Sequence, residues 1–516
     1  MPGKRHVLLV FCALMAAMLL ASLNQTILGT ALPTMVGELH GVDHMLWVIT
    51  AYILATTIMM PVYGKLGDLI GRRGLLIAAI AIFLVGSVVG ARAGDMTVLI
   101  VARAIQGVGG GGLMLLSQAI IADVVPARER ARYMGVMGGV FAFSSVAGPL
   151  LGGWFTEGPG WRWVFWSSLP LGVLAIVAAI VLLRLPKVGG IRPRLDYLGM
   201  ALMAVATTCL VLIGTWGGSQ YDWTSPTILG LAAATVVTGG SFLAVEARAA
   251  EPIMPLHLFR DRNFNLTTVA GLLTGVSMFG AISYLPTYLQ MVTGANATEA
   301  GLLMVPMMGA MLLSSVVSGQ LVSRTGRYKW LPIAGSGFVA LSLVLLSTMR
   351  VETALWVICC FIGVLGVGLG ISLQLLVLIV QNSFPLAEVG TATAANNFFR
   401  QIGASLGSAV VGSVFAARLT TLLAERLPSG NAGGTAADSI TPGLVSSLPD
   451  GIRLAIVESY NEALTPVFLY MAPLAVVAAI LLCFVEEKPL STTLDRTRPR
   501  GTETVQDTET TPARLR

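Results

Sequence analysis

Fourteen apolar stretches, separated by short charged or glycine-rich breaks, constrain this chain more than any other feature. They centre on 7–31, 45–64, 74–93, 97–121, 132–154, 163–184, 196–216, 226–246, 265–287, 300–322, 330–348, 353–379, 394–417 and 464–485. About 20 predominantly apolar residues are what an α-helix needs to cross the hydrocarbon of a bilayer. Composition agrees: charged residues make up only 11% of the chain, against about 25% in a soluble domain. The mean hydropathy of +0.80 points the same way. The expected fold class is an all-α polytopic membrane protein. Lys4 and Arg5 followed by an apolar run mimic a secretory leader, but the run continues to about Ala31, so an uncleaved first helix is expected.

A net charge of +6 and an isoelectric point near 9.2 raise the question of a nucleic-acid partner. The placement of the charges answers it. With the N-terminus inside, the inner breaks hold 18 Lys and Arg and the outer ones six (Arg92, Arg162, Arg350, Arg418, Arg426, Arg453). This asymmetry follows the positive-inside rule and puts both termini in the cytoplasm; nucleic acid is not needed to explain it. The five cysteines all lie in apolar runs without ligand spacing, so neither a disulfide framework nor a metal site is expected. Residues 419–463 form a polar outer segment whose GIRLAIVESYNEAL part has the pattern of an amphipathic helix lying on the membrane surface. Residues 487–516 read as a disordered cytoplasmic tail.

One break is unlike the others. Gly64 to Gly74 reads GKLGDLIGRRG, with glycines for a tight turn and Asp68, Arg72 and Arg73 to stay in water or cap helix ends. A degraded copy, GQLVSRTGRYK, begins 255 residues later at Gly319. Gly64, Leu66, Gly71 and Arg72 recur as Gly319, Leu321, Gly326 and Arg327, while Ser323 replaces Asp68 and Tyr328 replaces Arg73. Such a repeat is what a transporter built from two parallel halves would show; two unrelated basic turns are the alternative.

Polar groups inside a span are costly, so they mark cavities or packing contacts. Span 4 carries Arg103 and Gln106 one turn apart, with Arg103 either buried and functional or reaching the outer surface. Its GVGGGG matches a dinucleotide fingerprint, but no strand precedes it, so that reading is rejected. Span 1 places Asn24, Gln25, Thr26 and Thr30 in an apolar helix, where Asn24 either contacts substrate or bridges helices. Span 13 offers Asn396, Asn397, Arg400 and Gln401, and span 12 offers Gln374. No Asp or Glu falls near the middle of a span; Asp123 and Asp196 lie at cytoplasmic ends and read as helix caps. In span 5, the pairs Gly135/Gly139 and Gly148/Gly152 permit close helix packing, and Pro149 removes a backbone hydrogen bond and bends the helix.

Together these motifs resemble the major facilitator superfamily, in its fourteen-span drug:proton antiporter group. GKLGDLIGRRG is similar to the family's gating loop between spans 2 and 3, LIVARAIQGVGGGG to its span 4 motif, and GPLLGG (Gly148, Pro149, Gly152, Gly153) to its span 5 antiporter motif. WRWVFWSSLPLG at 161–172, YLPTYLQMVTGANATEAGLLMVP at 284–306 and FFRQIGASLG at 398–407 follow in order, so the resemblance covers about residues 8–485. It implies two six-helix halves, 1–184 and 251–486, with helices 7 and 8 inserted at 185–250. It also implies a monomeric, multi-pass protein of a bacterial plasma membrane that exports small amphipathic or cationic compounds. Its energy source would be the proton gradient, without a cofactor. The coupling or cavity residues implied are Asn24, Gln25, Arg103, Gln106, Asp123, Gln374, Arg400 and Gln401, with no metal. One departure bears on mechanism. The family commonly has an acid in span 1 where this chain has Asn24, and an amide can neither carry charge nor release a proton. An exporter of one endogenous lipid or secondary metabolite is the alternative that this departure favours. An intramembrane enzyme is disfavoured, since HExxH, GxSxG and P-loop patterns are missing and the four histidines lie outside spans or near their ends.

Overall fold

The computed structural model describes residues 4–41, 44–183, 195–218, 220–426, 445 and 448–492. Among them are fourteen helices long and apolar enough to cross a membrane. The first six are α1 (Arg5–Glu38), α2 (Met45–Ile70), α3 (Arg72–Ala91), α4 (Met96–Val124), α5 (Ala127–Glu157) and α6 (Trp163–Leu182). The next two are α7 (Tyr197–Trp216) and α8 (Pro226–Glu246). The last six are α9 (Arg262–Thr293), α10 (Glu299–Thr325), α11 (Trp330–Ser347), α12 (Leu355–Ser383), α13 (Val389–Arg426) and α14 (Asp450–Cys483). Local sequence sets several starts. Asp95, Asp196, Ser225 and Asp261 each accept a hydrogen bond from a backbone N–H three residues on, satisfying a donor that a helix start leaves orphaned.

The packing repeats. In the first set α1 packs on α4, α5 and α6, α4 on α2 and α3, and α3 on α6. In the last six helices the same six pairings recur: α9 on α12, α13 and α14, α12 on α10 and α11, and α11 on α14. The sets meet through α5 on α10 and α2 on α13, one contact and its symmetry mate, and through a second such pair, α5 on α12 and α4 on α13. The chain is thus folded as two parallel copies of one six-helix unit. Helices α7 and α8 pack on each other, and α7 reaches α2 and α13. Helix α8 is almost wholly exposed beyond that contact. Its surface is apolar, with Leu229, Val236 and Val237 facing outward as lipid contact requires.

Two terminal expectations need correction. Helix α13 has 38 residues, about 57 Å at 1.5 Å per residue, and outruns a hydrocarbon core of about 30 Å. GIRLAIVESYNEAL is not a separate surface helix but the opening turns of α14. The reason is burial: Ile456, Tyr460 and Ala463 share a core with Phe415, Leu419 and Leu423 of α13. The Phe415 and Tyr460 rings lie 4.8 Å apart, and Arg426 donates to Glu462 at 2.6 Å. The outer segment therefore shortens to the residues after Arg426 and before Asp450, most of which lie outside the described residues. At the other end, residues 487–492 are ordered. Glu487 accepts from the Tyr328 backbone N–H at 2.8 Å, the Lys488 N–H donates to the Tyr328 hydroxyl at 2.8 Å, and Arg128 N–H donates to Ser491 O at 3.1 Å. Burial pushes the Tyr328 hydroxyl above its ordinary pKa. The remainder of the expected tail, 493–516, lies outside the described residues.

Candidate functional site

The break at Gly64–Gly74 is a helical corner rather than an open loop. Helix α2 runs on to Ile70, Gly71 alone turns the chain with φ +97°, and Arg72 begins α3. A positive φ of this kind favours glycine. The corner brings Asp68 and Arg72 one turn apart, both with side chains only 5% exposed. Asp68 Oδ1 accepts from Arg72 Nη2 at 2.6 Å and from Gly390 N–H at 3.2 Å. Its Oδ2 accepts from Thr391 N–H at 2.7 Å and Thr391 Oγ1 at 2.8 Å. The carboxylate of one set thus caps the N-terminus of α13 in the other, where free N–H groups and the helix dipole favour an anion. Arg72 Nη1 donates to Asp123 at 2.5 Å and to Ala119 O at 2.8 Å, and Nη2 reaches Leu386 O at 3.1 Å. Asp123, expected either as a helix cap or as a charge-pairing coupling candidate, is the second anion of this cluster, because the last turn of α4 lies beside the corner. Arg73 turns away and donates to Ile180 O of α6.

The copy is built on the same geometry with different chemistry. A Cβ on Gly64 would collide with Ala394 and the Gly390 carbonyl, and one on Gly319 with the Ala131 carbonyl and Gly135. Gly390 and Gly135 are themselves 255 residues apart, so both crossings rest on equivalent glycine contacts. Gly326 takes φ +74°, as Gly71 does with φ +97°. The carboxylate is gone: Ser323 stands in its place, and Ser323 and Arg324 offer backbone carbonyls to Arg128, at 3.1 and 2.8 Å. Arg327 is exposed.

Above the corner a polar layer continues the closure. Arg130 donates to Gln381 Oε1 at 3.3 Å, Gln381 Nε2 donates to Gln118 O at 3.2 Å, and Asn397 Nδ2 donates to Gln118 Oε1 at 2.9 Å. Ser315 donates to Gly135 O at 2.9 Å. Among the described residues, the side-chain hydrogen bonds joining the two six-helix sets all lie in the half of the molecule nearest the corner. The structure is shut at that end.

Asn24, Arg103 and Gln106 lie elsewhere, in the packing between helices of the first set, with 2%, 1% and 0% of their surface exposed. Arg103 Nη1 donates to Asn24 Oδ1 and Gln106 Oε1, both at 2.7 Å, and its guanidinium stacks 4.2 Å over the Tyr52 ring. Its Nε donates to Val48 O at 3.3 Å. Asn24 passes the network on to Ser168 at 3.3 Å, and Gln106 to Ser87 at 2.9 Å. Arg103 is therefore buried rather than reaching the outer surface, and Asn24 makes hydrogen bonds to α4 and α6. A buried guanidinium here is held by neutral acceptors only.

In α5 the glycines divide by face. Gly135 and Gly139 receive Ser315 and Leu312 of α10, while Gly148 and Gly152 receive Thr26 and Thr30 of α1. Gly153 has open space beside it, and the helix continues through Pro149. Gln25, Gln374, Arg400 and Gln401 are half-buried. Gln374 lies beside Gly138, and its Oε1 has no partner. Gly390, Thr391, Gln118, Arg130 and Gln381 were missed from sequence. Their only signal was polarity near a span end, and in Arg130 it was read as a topological charge.

The family profile of the Major Facilitator Superfamily matches residues 14–408. The chain belongs to that superfamily. It is accordingly a multi-pass membrane transporter rather than an enzyme. It is 42% identical to an uncharacterised MFS-type transporter of Mycobacterium tuberculosis, over 95% of this chain and 71% of that protein. It is 38% identical to the multidrug transporter protein MdtP of Bacillus subtilis, over 81% of this chain and 77% of the relative. Among solved structures it resembles the human organic anion transporter MFSD10, with TM-score 0.61, 93% of this chain and 100% of that one covered. At 15% identity this last likeness shows the fold alone.

Proposed function

We propose that the chain is a secondary active exporter of small amphipathic compounds, working by alternating access and driven by proton antiport. The observation that carries this reading is the closure itself. Two equivalent helix crossings, α2 on α13 and α5 on α10, are sealed at one end by groups from both sets. An arrangement of two repeats locked at one end is what a rocking transporter needs in one of its two states. The positive-inside asymmetry supports a reading in which the sealed end faces the cytoplasm, in a bacterial plasma membrane, which makes this state the outward-facing one. A monomer suffices, since the site is made by one chain.

Protons have two carboxylates to act on at the seal, Asp68 and Asp123, both bound to Arg72. Protonating either takes a counter-charge away from Arg72, and protonating Asp68 also weakens its hold on α13. That supports coupling through the seal rather than through span 1, where Asn24 cannot titrate. The reading is tested with purified protein in liposomes, following ethidium movement with and without an imposed pH gradient. Gradient-dependent transport is expected, and transport of ethidium indifferent to the gradient would refute proton antiport.

A second reading, export of one endogenous lipid or metabolite, is favoured by the same Asn24. The resemblance implies cationic substrates, but a cation deep in the membrane would find no counter-charge. Every Asp and Glu among the described residues lies at a helix end or beyond the membrane-spanning turns.

A further inference from the structure

Arg400 is a charged residue of the central helices that neither the seal nor the Arg103 network uses. It lies 11 residues into α13 from Val389, about 16 Å along the axis from the sealed end and inside the span. Its direction follows from its neighbours one and two turns back. Thr393 accepts from Gln381 of α12, Asn396 donates to Thr268 of α9, and Asn397 donates to Gln118 of α4. Residues at i, i+3, i+4 and i+7 share a helix face, so Arg400 continues this inward stripe one turn beyond the closed layer. It is half-buried. Among the described residues its guanidinium has no hydrogen bond, ion pair or ring contact.

An arginine stays protonated, and an unpaired charge at membrane depth costs several kcal/mol unless something compensates it. The unpartnered Asn397 Oδ1 a turn below is neutral and leaves the charge standing. Arg103, a second guanidinium inside a span, also has only neutral hydrogen-bond partners and offers no counter-charge. We infer that Arg400 receives the acidic group of the transported compound, a carboxylate held in the two-pronged geometry a guanidinium favours, so that the substrates are amphipathic organic anions. This rests on the transport reading above and narrows it.

The test uses the full chain with two dyes, anionic carboxyfluorescein and cationic ethidium. Transport in proteoliposomes and dye anisotropy with the detergent-solubilised protein are measured for wild type, Arg400→Gln, Arg400→Lys and Arg400→Glu. A charged hydrogen-bond pair lost from a buried site weakens binding by about 10- to 100-fold. Carboxyfluorescein binding and transport should fall by that factor in Arg400→Gln, recover partly in Arg400→Lys, and give way to ethidium preference in Arg400→Glu. Equal carboxyfluorescein binding by wild type and Arg400→Gln overturns the inference. Wild type that moves ethidium but neither binds nor moves carboxyfluorescein also overturns it, leaving the transport reading intact. Arg400-dependent anion binding with no transport of either dye supports the site and refutes the transport reading. Neither binding nor transport of any dye refutes both.

Discussion

Replacing Asp68 with Asn keeps the shape of the seal and removes its charge. Asp68 accepts four hydrogen bonds, three of them from the other six-helix set. An amide has one acceptor oxygen, and its nitrogen would face N–H and O–H donors. Counting only the two short bonds to Thr391 as lost, at 2.7 and 2.8 Å, and taking about 1.5–3 kcal/mol for each bond to a charged group, the closed state weakens by about 3–6 kcal/mol. At about 1.4 kcal/mol per tenfold, the low end alone shifts the closed-to-open ratio roughly 100-fold, enough to bring a 99:1 preference near even. The shift is read as a distance between spin labels on the two sets, at Gly74→Cys and Trp330→Cys in a background lacking the five native cysteines. Both positions are exposed at the corner end. Wild type should give one shorter population and Asp68→Asn a second, longer one, with transport of the dye that wild type moves at least about tenfold slower. Superimposable distance distributions would refute the reasoning, whatever happened to transport.

Two further predictions follow from burial and space. Asn24→Asp puts a carboxylate where Oδ1 now sits 2.7 Å from Arg103 Nη1; thermal unfolding in detergent should rise by a few degrees at neutral pH. Arg103→Leu, which strands Asn24 and Gln106, should instead cost about 2–4 kcal/mol. Gly64→Val and Gly319→Val should both lengthen the same label distance, since each Cβ meets the opposing backbone, whereas Gly74→Ala should be silent in transport because nothing lies within 4 Å.

Much of this was legible because hydropathy and glycine spacing are local signals. The fourteen spans, the corner and its degraded copy could be read without knowing any partner. The partners could not. Thr391 and Gln118 are ordinary polar residues near span ends, and only the crossing of α2 on α13 and of α4 on α13 brings them to Asp68 and Asn397. Asp123 reads as a cap or a charge-pairing candidate, but its partner Arg72 lies 51 residues away and is not legible locally. Asn24 is 79 residues from Arg103, so their contact is equally hidden in the sequence. The outer turns of α13 and α14 were misjudged for a physical reason: their apolar stripe faces a partner helix, not lipid, so their mean hydropathy is low.

The central claim is that the two sets rock apart at the corner end during transport. Arg128→Cys and Ser323→Cys, joined by a short bifunctional thiosulfonate reagent in the cysteine-free background, would tie that end shut where Arg128 now reaches Ser323 O at 3.1 Å. Transport in proteoliposomes, read with whichever of carboxyfluorescein and ethidium the unlinked protein moves, should stop when the link is complete and return on reduction. Undiminished transport by fully linked protein would contradict the account.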